Sequence, residues 1–438
     1  MQVVYRRCCG LDVHKASITA CVLVLAEDGK REVRKKEFGT YLKELFRLKS
    51  WLIASKVEHV AMESTGVYWK PVWNVLEGKF PLLLANPYHM KNIPGRKTDQ
   101  NDAEWIADLL AHGLLRASFV PPREIQELRN LTRYRVKLVE EYNRVHNRIG
   151  KVLKDANIKL GTVASDILGV TGREIIRRIA DERDHEMLVE RAAGRLRASR
   201  EDIRQALRGR ISDHHRYMLR ELLDDLERVE AKIVRIEIEI AKGLEPYSDQ
   251  VARLSTIPGV HRIIAWTIIA ELGVDMSQFP DADHAASWAG LAPGSFESAG
   301  KRKSSRTRHG NRWLRRALCQ SGWAVAHKKN CYLAAFFHRL TRRHGAKKAA
   351  VATAHQILVI AYHLLRDGGV YREVGGDFFD QLNPARAVRQ MAARLDRLGY
   401  DVLPRPLQPA PVFLPRKRGR PCKCHERGIP CIHSTCGT

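Results

Sequence analysis

The sequence predicts a mixed α/β domain over residues 1–120, a long helical coiled-coil region over 121–245 and a mainly α-helical domain over 246–375. Strand and helix patterns alternate in the first region, heptad spacing marks the second, and the apolar periods of packed helices mark the third. Residues 376–438 are basic and rich in Pro and Cys, so they are predicted to form a tail outside any core.

The first region begins with two segments that predict a β-hairpin. Cys8 to Leu25 is rich in β-branched and apolar residues, and Arg31 to Phe38 can pair back on it through an Asp-Gly turn at 28–29. The pattern that follows predicts helices over 41–54, 67–76 and 99–115, with short buried strands over 57–62 and 81–85. A hairpin followed by alternating helices and strands is typical of a mixed sheet.

Two segments of the middle region, Leu128 to Val152 and Leu219 to Ile240, place mostly apolar side chains at alternating spacings of three and four residues. This spacing predicts coiled-coil helices. It leaves open whether the two helices pair with each other or with another subunit.

The balance of charge indicates a polyanionic partner. The 438 residues include 75 Lys and Arg against 49 Asp and Glu, a formal net charge of +26, and nucleic acid is the common partner for such an excess. A ribosomal or membrane-surface protein is the alternative class. The apolar stretch from Ala349 to Leu365 is interrupted by polar residues and predicts a buried helix rather than a membrane span. The amino terminus lacks the apolar core of a signal peptide, so a cytoplasmic protein is expected.

Four acidic residues have the placement expected of a metal site. Asp12 lies at the middle of the first strand, in Gly-Leu-Asp-Val-His-Lys, and Glu63 ends the next core strand, in Met-Glu-Ser-Thr-Gly. Asp99 and Asp102 lie three residues apart at the start of a helix, in Lys-Thr-Asp-Gln-Asn-Asp-Ala. Carboxylates in apolar surroundings require a cation or strong donors, and carboxylate oxygens suit Mg²⁺ or Mn²⁺. The alternative is that these acids stabilise a helix amino terminus and a turn.

The carboxy-terminal domain contains two further patterns. Leu254 to Gly273 predicts a helix, a Pro-Gly turn and a second helix, the pattern of a helix-hairpin-helix element that can hold a DNA phosphate. A purely structural helical hairpin fits this pattern equally well. The second pattern consists of Ser-Trp-Ala-Gly-Leu-Ala-Pro-Gly from Ser287 and Arg-His-Gly-Asn-Arg-Trp-Leu-Arg from Arg308.

These motifs, in this order, resemble the DEDD transposases of insertion-sequence family 110/1111, over residues 8 to 120 and 250 to 370. The resemblance implies a RuvC-like, RNase H-like amino-terminal domain in which Asp12, Glu63, Asp99 and Asp102 bind the metal. It also implies that a serine attacks the DNA backbone, and the matching residue is Ser298. Ala299 stands where the family usually has glycine, which leaves Ser295 as a competitor.

The family resemblance further implies cutting and rejoining of donor and target DNA, guided by a structured RNA from the element. Phosphate contacts are expected from nearby basic residues, which are Lys301, Arg302, Lys303, Arg308 and Arg312. A homo-oligomer, dimer or tetramer, is expected because recombination holds two DNA partners at once. For the same reason we favour pairing of the two heptad helices between subunits over pairing within one chain. The alternatives are a junction resolvase that uses activated water and a non-catalytic nucleic-acid-binding protein.

The tail carries two weaker motifs. Arg418 and Arg420 lie in Arg-Gly-Arg-Pro, the core of an element that lies along a narrow DNA minor groove, although a solvated basic tail has the same composition. The Cys and His residues between Cys422 and Cys436 would be sufficient to bind one Zn²⁺, but their spacing lacks paired Cys-x-x-Cys units.

Overall fold

A computed structural model describes residues 3–26, 30–64, 66–87, 90, 93, 102–181, 185–294, 296–298, 301–304, 306–307 and 309–401. The chain forms two compact units, Met1–Val120 and Pro121–Thr438.

The first unit is a five-stranded sheet covered by helices. Its strands are β1 (Arg7–Val13), β2 (Ser17–Leu25), β3 (Arg31–Gly39), β4 (His59–Glu63) and β5 (Leu82–Ala85). Its helices are α1 (Leu42–Ala54), α2 (Trp69–Leu76) and α3 (Asp102–Ala111). The spatial order is β3-β2-β1-β4-β5, with β1, β2 and β3 antiparallel and β1, β4 and β5 parallel. The predicted mixed α/β class is confirmed, and this topology is consistent with an RNase H-like domain.

One prediction about this sheet was wrong. The continuous strand expected from Cys8 to Leu25 is two strands, β1 and β2, which form a hairpin of their own. The His14 backbone N–H donates to the Ser17 carbonyl at 2.9 Å and closes the connection between them. Asp12 therefore lies next to the carboxyl end of β1 instead of at the middle of a strand. This is the end of the sheet where the parallel strands β1, β4 and β5 terminate.

Alternation along the strands divides the core between the two faces of the sheet. Cys9 and Leu11 pack in the cluster that includes α1 and α2, whereas Cys8 packs with Ala103 and Ile106 of α3 on the other face. Helix α3 approaches β1 closely at Gly10, where a Cβ atom would lie 2.2 Å from the Ala103 carbonyl oxygen. The absence of a side chain at Gly10 is what lets this helix pack so closely.

The second unit begins with two long helices, α4 (Arg123–Asp155) and α8 (Asp213–Gly243). They pack antiparallel, since Arg135 bonds to Glu237 at 2.7 Å near one end and His215 contacts Asp155 at 3.0 Å at the other. Between them in sequence lie α5 (Val170–Asp181), α6 (His185–Ala193) and α7 (Arg200–Leu207), whose apolar side chains share one core cluster with the long pair. The two heptad segments thus pair with each other within one chain, which is the alternative to the favoured pairing between subunits.

The rest of the second unit is mainly helical. Its helices are α9 (Ser248–Ser255), α10 (Arg262–Leu272), α11 (Ala282–Trp288), α12 (Arg312–Val325), α13 (Tyr332–His344), α14 (Ala346–Asp367), α15 (Phe378–Gln381) and α16 (Pro384–Asp396). A short hairpin of β6 (Phe296–Ser298) and β7 (Lys301–Ser304) interrupts them. Helices α15 and α16 show that ordered structure extends past residue 376, where the sequence predicts a tail.

Helix α14 is long and apolar enough to cross a membrane by length and composition alone. Half of its apolar stretch is buried inside the unit, however, where Ala354, Ile357, Leu358 and Ala361 are fully covered. It packs against α11, α12 and α13. The structure therefore describes it as a core helix, as its interrupted apolar pattern predicts.

Candidate active site

Asp12 and Glu63 lie side by side at the carboxyl edge of the sheet. β1 and β4 are parallel and pair Leu11 with Met62, so the residue that follows each of these is Asp12 or Glu63. Glu63 belongs to the same alternating set as Ala61, and Ala61 packs on the α3 face of the sheet. Asp12 belongs to the same set as Cys8. Both acids are therefore carried on the face that α3 covers.

Asp102 joins these two acids from the helix. It is the first residue of α3, next to Ala103, the residue whose carbonyl oxygen lies over Gly10. Close packing of α3 at Gly10 thus holds the start of the helix beside the end of β1. The sequence predicts that Asp12, Glu63 and Asp102 meet, and the structure brings Asp102 and Glu63 within electrostatic range of Asp12.

The pKa of Asp12 reports this crowding of negative charge. Burial raises it above its ordinary value, and the carboxylates of Asp102 and Glu63 raise it further. His14 acts in the opposite direction, with its Nε2 3.1 Å from Asp12 Oδ2. The Asp12 side chain is only 17% exposed, so solvent screens the repulsion poorly. Sequence analysis did not assign a role to His14, although it belongs to the same Gly-Leu-Asp-Val-His-Lys segment.

These three acids fit a divalent cation in chemistry and charge. A cation among them would relieve both the burial cost and the mutual repulsion, and hard oxygen ligands are those that Mg²⁺ prefers. Asp99, the fourth predicted ligand, lies outside the described residues. Across the described ranges, no group of three or more His, Cys, Asp or Glu side chains already has the spacing of a bound metal ion.

The segment predicted to carry the nucleophile is a β-hairpin rather than a loop. Ser298 is the last residue of β6 and pairs with Lys301, the first residue of β7. The glycine at 300 was the available sequence signal for a hairpin, and it was overlooked. Lys301, Arg302 and Lys303 follow on β7. The structure does not describe the side chains of Ser298 and of the three basic residues at 301–303. Ser295 and Arg308 lie outside the described residues altogether.

The two sequence motifs of this domain, which begin at Ser287 and Arg308, pack directly on each other. Gly310 lies so close to Gly290 that a Cβ on Gly310 would be 2.2 Å from the Gly290 nitrogen. The Asn311 N–H donates to the Trp288 carbonyl at 3.0 Å, and the Gly294 N–H donates to the Arg306 carbonyl at 3.1 Å. The backbone on both sides of the β6–β7 hairpin is therefore fixed where the hairpin begins and ends.

Asn311 connects this packing to a fully buried acid. Its Oδ1 caps α12 by accepting from the Trp313 and Leu314 N–H groups, and its Nδ2 donates to Glu271 Oε2 at 2.6 Å. The Glu271 side chain on α10 has no exposed surface.

Two arginines of α4 neutralise this buried carboxylate. Arg133 donates to both oxygens of Glu271, at 2.7 and 2.8 Å. Arg129 lies 3.4 Å from Oε2 and also donates to the Ala270 and Glu271 carbonyls. Burial lowers the pKa of Arg129 to about 10, with Glu271 opposing that shift. Sequence analysis missed this network, and the only signal for it was one acid within an otherwise apolar helix.

Three cationic side chains surround the ring of Trp313, which lies beside this network. The guanidinium groups of Arg312 and Arg133 lie 4.8 and 5.7 Å from the centre of a Trp313 ring, and Lys137 Nζ lies 5.5 Å away. Arg312, predicted to contact phosphate, is exposed. A half-buried ring with surrounding cations is a surface on which nucleic acid can bind.

The predicted helix-hairpin-helix element has the expected helices, α9 and α10, joined at Pro258-Gly259. Its turn, however, is buried. Gly259 has a φ of +85°, and a Cβ there would lie 2.8 Å from the Ser321 carbonyl oxygen of α12. This burial favours the structural alternative over a phosphate-binding turn. Arg418, Arg420 and the Cys and His residues of the predicted zinc site lie outside the described residues.

Comparison with known proteins agrees with this arrangement. Residues 9–158 match the profile of the IS110 DEDD transposases, described as "Transposase", and residues 251–338 match the "Transposase IS116/IS110/IS902 family". A "Probable family 20 transposase" of Pseudomonas aeruginosa is 25% identical over 72% of this chain and 85% of its own length. The "Transposase for insertion sequence element IS1111A" of Coxiella burnetii is 25% identical over 74% of this chain and 82% of its own.

A sheet edge with clustered acids, together with these matches in both units, defines the protein as a transposase of an insertion sequence. More specifically, the chain belongs to the IS110 family of DEDD transposases. The first matched segment includes all four predicted metal ligands, and the second includes Ser298, Glu271 and Asn311.

Proposed function

We propose that this transposase cleaves and rejoins DNA with a divalent metal held by Asp12, Glu63, Asp99 and Asp102, and with Ser298 as the nucleophile. The observation that supports the proposal is that Asp12 and Glu63 lie on one face of the sheet, with Asp102 close enough to Asp12 to raise its pKa. When bound there, Mg²⁺ or Mn²⁺ would supply positive charge for phosphoryl transfer.

The protein's own residues divide the remaining work. His14 contacts Asp12 and fixes the orientation of its carboxylate. Ser298 ends β6 and pairs with Lys301, and Arg302 and Lys303 follow on β7 to attract backbone phosphates. Arg308, also in the matched segment, and Arg312, beside Trp313, are the further basic residues expected to contact phosphate.

The proposed cleavage step conserves the energy of the DNA bond. Ser298 Oγ attacks a backbone phosphorus and forms a serine–phosphate ester, while the bond from phosphorus to one deoxyribose oxygen breaks. The serine loses its proton, and the departing oxygen gains one and becomes a hydroxyl. Attack by a hydroxyl of another strand then reverses these changes and joins the DNA.

Ser298→Ala tests the nucleophile. This variant should bind DNA and yield no covalent adduct, whereas Ser295→Ala should still yield one. Stalled reactions on labelled DNA, separated on denaturing gels before and after protease treatment, measure the adduct. Normal cleavage by Ser298→Ala would instead favour a junction resolvase in which activated water attacks.

Asp12→Asn tests the metal site. Loss of a residue that only hydrogen-bonds to a metal ligand typically reduces metal affinity or activity by about 10–100-fold. Loss of a ligand itself should therefore reduce the cleavage rate by more than about 100-fold. Binding of DNA, measured on the same probe, should stay close to that of the wild type. Wild-type cleavage by Asp12→Asn would exclude the metal role, and loss of DNA binding would indicate a misfolded domain.

We also propose that the protein acts in the cytoplasm, as a homo-oligomer guided by a structured RNA of its element. The family match and the net charge of +26 support the nucleic-acid partners. Purification from cells that carry the whole element, compared with cells that carry the coding sequence alone, tests the RNA. Only the first preparation should contain a protected RNA and cleave its target, and ribonuclease should remove that activity. Light scattering on the full chain, with and without DNA, measures the assembly.

A further inference from the structure

A basic cleft of about 760 Å³ lies between α13 and the α15–α16 segment. Its walls carry Arg339, Arg342 and Arg343 from α13 and Arg386 from α16. Among the described residues that line it, Asp380 is the one acid. All four arginines lie beyond residue 338, where the second family match ends.

Aromatic contacts fix the two walls relative to each other. The ring of Phe379 stacks on Tyr332 with centroids 5.5 Å apart, and Phe378 meets Tyr332 edge-on at 5.1 Å. The guanidinium of Arg339 lies 4.8 Å from the centre of the Phe379 ring. Because these side chains come from both sides, the cleft is preformed and its cations need little ordering when a ligand binds.

The four arginines of the cleft outnumber its one described carboxylate, Asp380. None of the four arginines has a carboxylate partner among the described residues, in contrast to Arg135 and Arg173 of the same unit, which bond to Glu237 and Glu230. Several cations that face one concave space repel each other and raise the local concentration of anions.

Local helix stability does not account for the whole cluster. Arg342 and Arg343 lie in the last turn of α13, where cations favour the helix dipole. Arg386, however, lies in the first turn of α16, where a cation is unfavourable to the helix. A residue that weakens its own helix and completes a basic cleft is best explained by an external anion.

We propose that this cleft binds the phosphodiester backbone of a nucleic acid. It would be a contact region separate from residues 251–338, the segment that matches the transposase family and contains Ser298. The proposal rests on the proposed function only in taking nucleic acid as the polyanion. It assigns to α16, part of the predicted tail, a role in affinity and none in bond cleavage.

The test compares two double variants of the full-length protein with equal loss of charge. Arg342→Gln/Arg386→Gln removes one cation from each wall, and Arg389→Gln/Arg394→Gln removes two exposed cations of α16 that do not line the cleft. Anisotropy of a labelled duplex DNA and of a labelled hairpin RNA gives the Kd at several salt concentrations. For the cleft variant, the slope of log Kd against log salt should fall by about 1.8 on duplex DNA, since each phosphate contact contributes about 0.9.

The outcomes separate this proposal from the proposed function. A reduced slope in the cleft variant alone supports the site, and the probe that shows it, DNA or RNA, identifies the backbone bound. Equal slopes in the two variants, or an unchanged slope in both, overturn the proposal. Failure of the proposed function is measured separately, at Asp12→Asn, which should bind with the wild-type slope and not cleave. Arg386→Gln alone should keep or raise the Tm, which confirms that reduced binding does not come from unfolding.

Discussion

Each unit of the protein holds an acid out of solvent, and the two acids have opposite surroundings. Around Asp12 the neighbouring charges include two further carboxylates, and the pKa of Asp12 is raised. Around Glu271, Arg133 and the Asn311 amide donate to the two carboxylate oxygens, and Arg129 forms an ion pair with Oε2. The first arrangement costs folding free energy in the absence of a cation, whereas the second is complete in itself.

This difference distinguishes a carboxylate that an external cation would stabilise from one that is already neutralised by the fold. A carboxylate whose charge is already matched has little to gain from an external ion, so Glu271 positions Asn311 and the backbone beside the hairpin. A carboxylate close to other carboxylates is stabilised by an external cation, so Asp12 is suited to bind such a cation. Substitutions at the two places should therefore have opposite consequences for stability.

The largest effect on stability is expected at Glu271. Glu271→Gln keeps the shape of the side chain but leaves Arg129 and Arg133 without their counter-charge, which should cost about 3–5 kcal/mol of unfolding free energy. Denaturant unfolding followed by circular dichroism measures it. The matched control is Glu140→Gln on α4, because Glu140 forms its pairs with Lys137 and Arg316 at the surface. A loss at Glu271 no greater than at Glu140 would contradict the structural role.

A smaller effect is expected where α3 crosses the sheet. Gly10→Ala places a Cβ against backbone atoms of Ala103 and Ala107, which have no rotamer with which to move away. The helix must shift, at a cost of about 1–3 kcal/mol, and Asp102 shifts with it. Both the Tm and the cleavage rate should therefore fall.

Gly39→Ala is the control for this change, because its nearest neighbour is the flexible Glu44 side chain at 3.3 Å. It should alter both measurements less than Gly10→Ala. If Gly10→Ala lowered the Tm and left cleavage intact, the position of α3 would not matter to the site.

The sequence predicted the acid site better than the buried network, and the reason is physical. Asp12 and Glu63 are placed by strand period and parallel pairing, which depend on a few adjacent residues. Glu271 and Arg133 are 138 residues apart, and no local pattern specifies that they meet. The extra strand boundary after Val13 was also missed, because the β-branched composition continues through the turn. Asp99 and the tail lie outside the described residues, so their predicted roles remain predictions.

An effect of about 1 kcal/mol is expected at Asn311, where two roles can be separated. Asn311→Ala removes the cap of α12 and the bond to Glu271, while Asn311→Ser keeps an oxygen able to cap the helix. The Ala variant should be less stable than the Ser variant by about 1 kcal/mol in denaturant unfolding. Equal stability of the two would mean that capping contributes nothing and that the bond to Glu271 is the whole contribution.

The smallest effect, and one of opposite sign, is expected at Asp12 in the presence of a chelator. Because the pKa of Asp12 is higher in the folded protein than its ordinary value, the folded state loses stability relative to the unfolded state as pH rises through that interval. Asn carries no charge, so Asp12→Asn does not suffer this loss. The two proteins should differ little at acidic pH, and the variant should be equally or more stable at neutral pH. Thermal unfolding across that range measures the difference. If the variant were markedly less stable at neutral pH, Asp12 would stabilise the fold, as Glu271 does, and the proposed role in metal binding would lose its support.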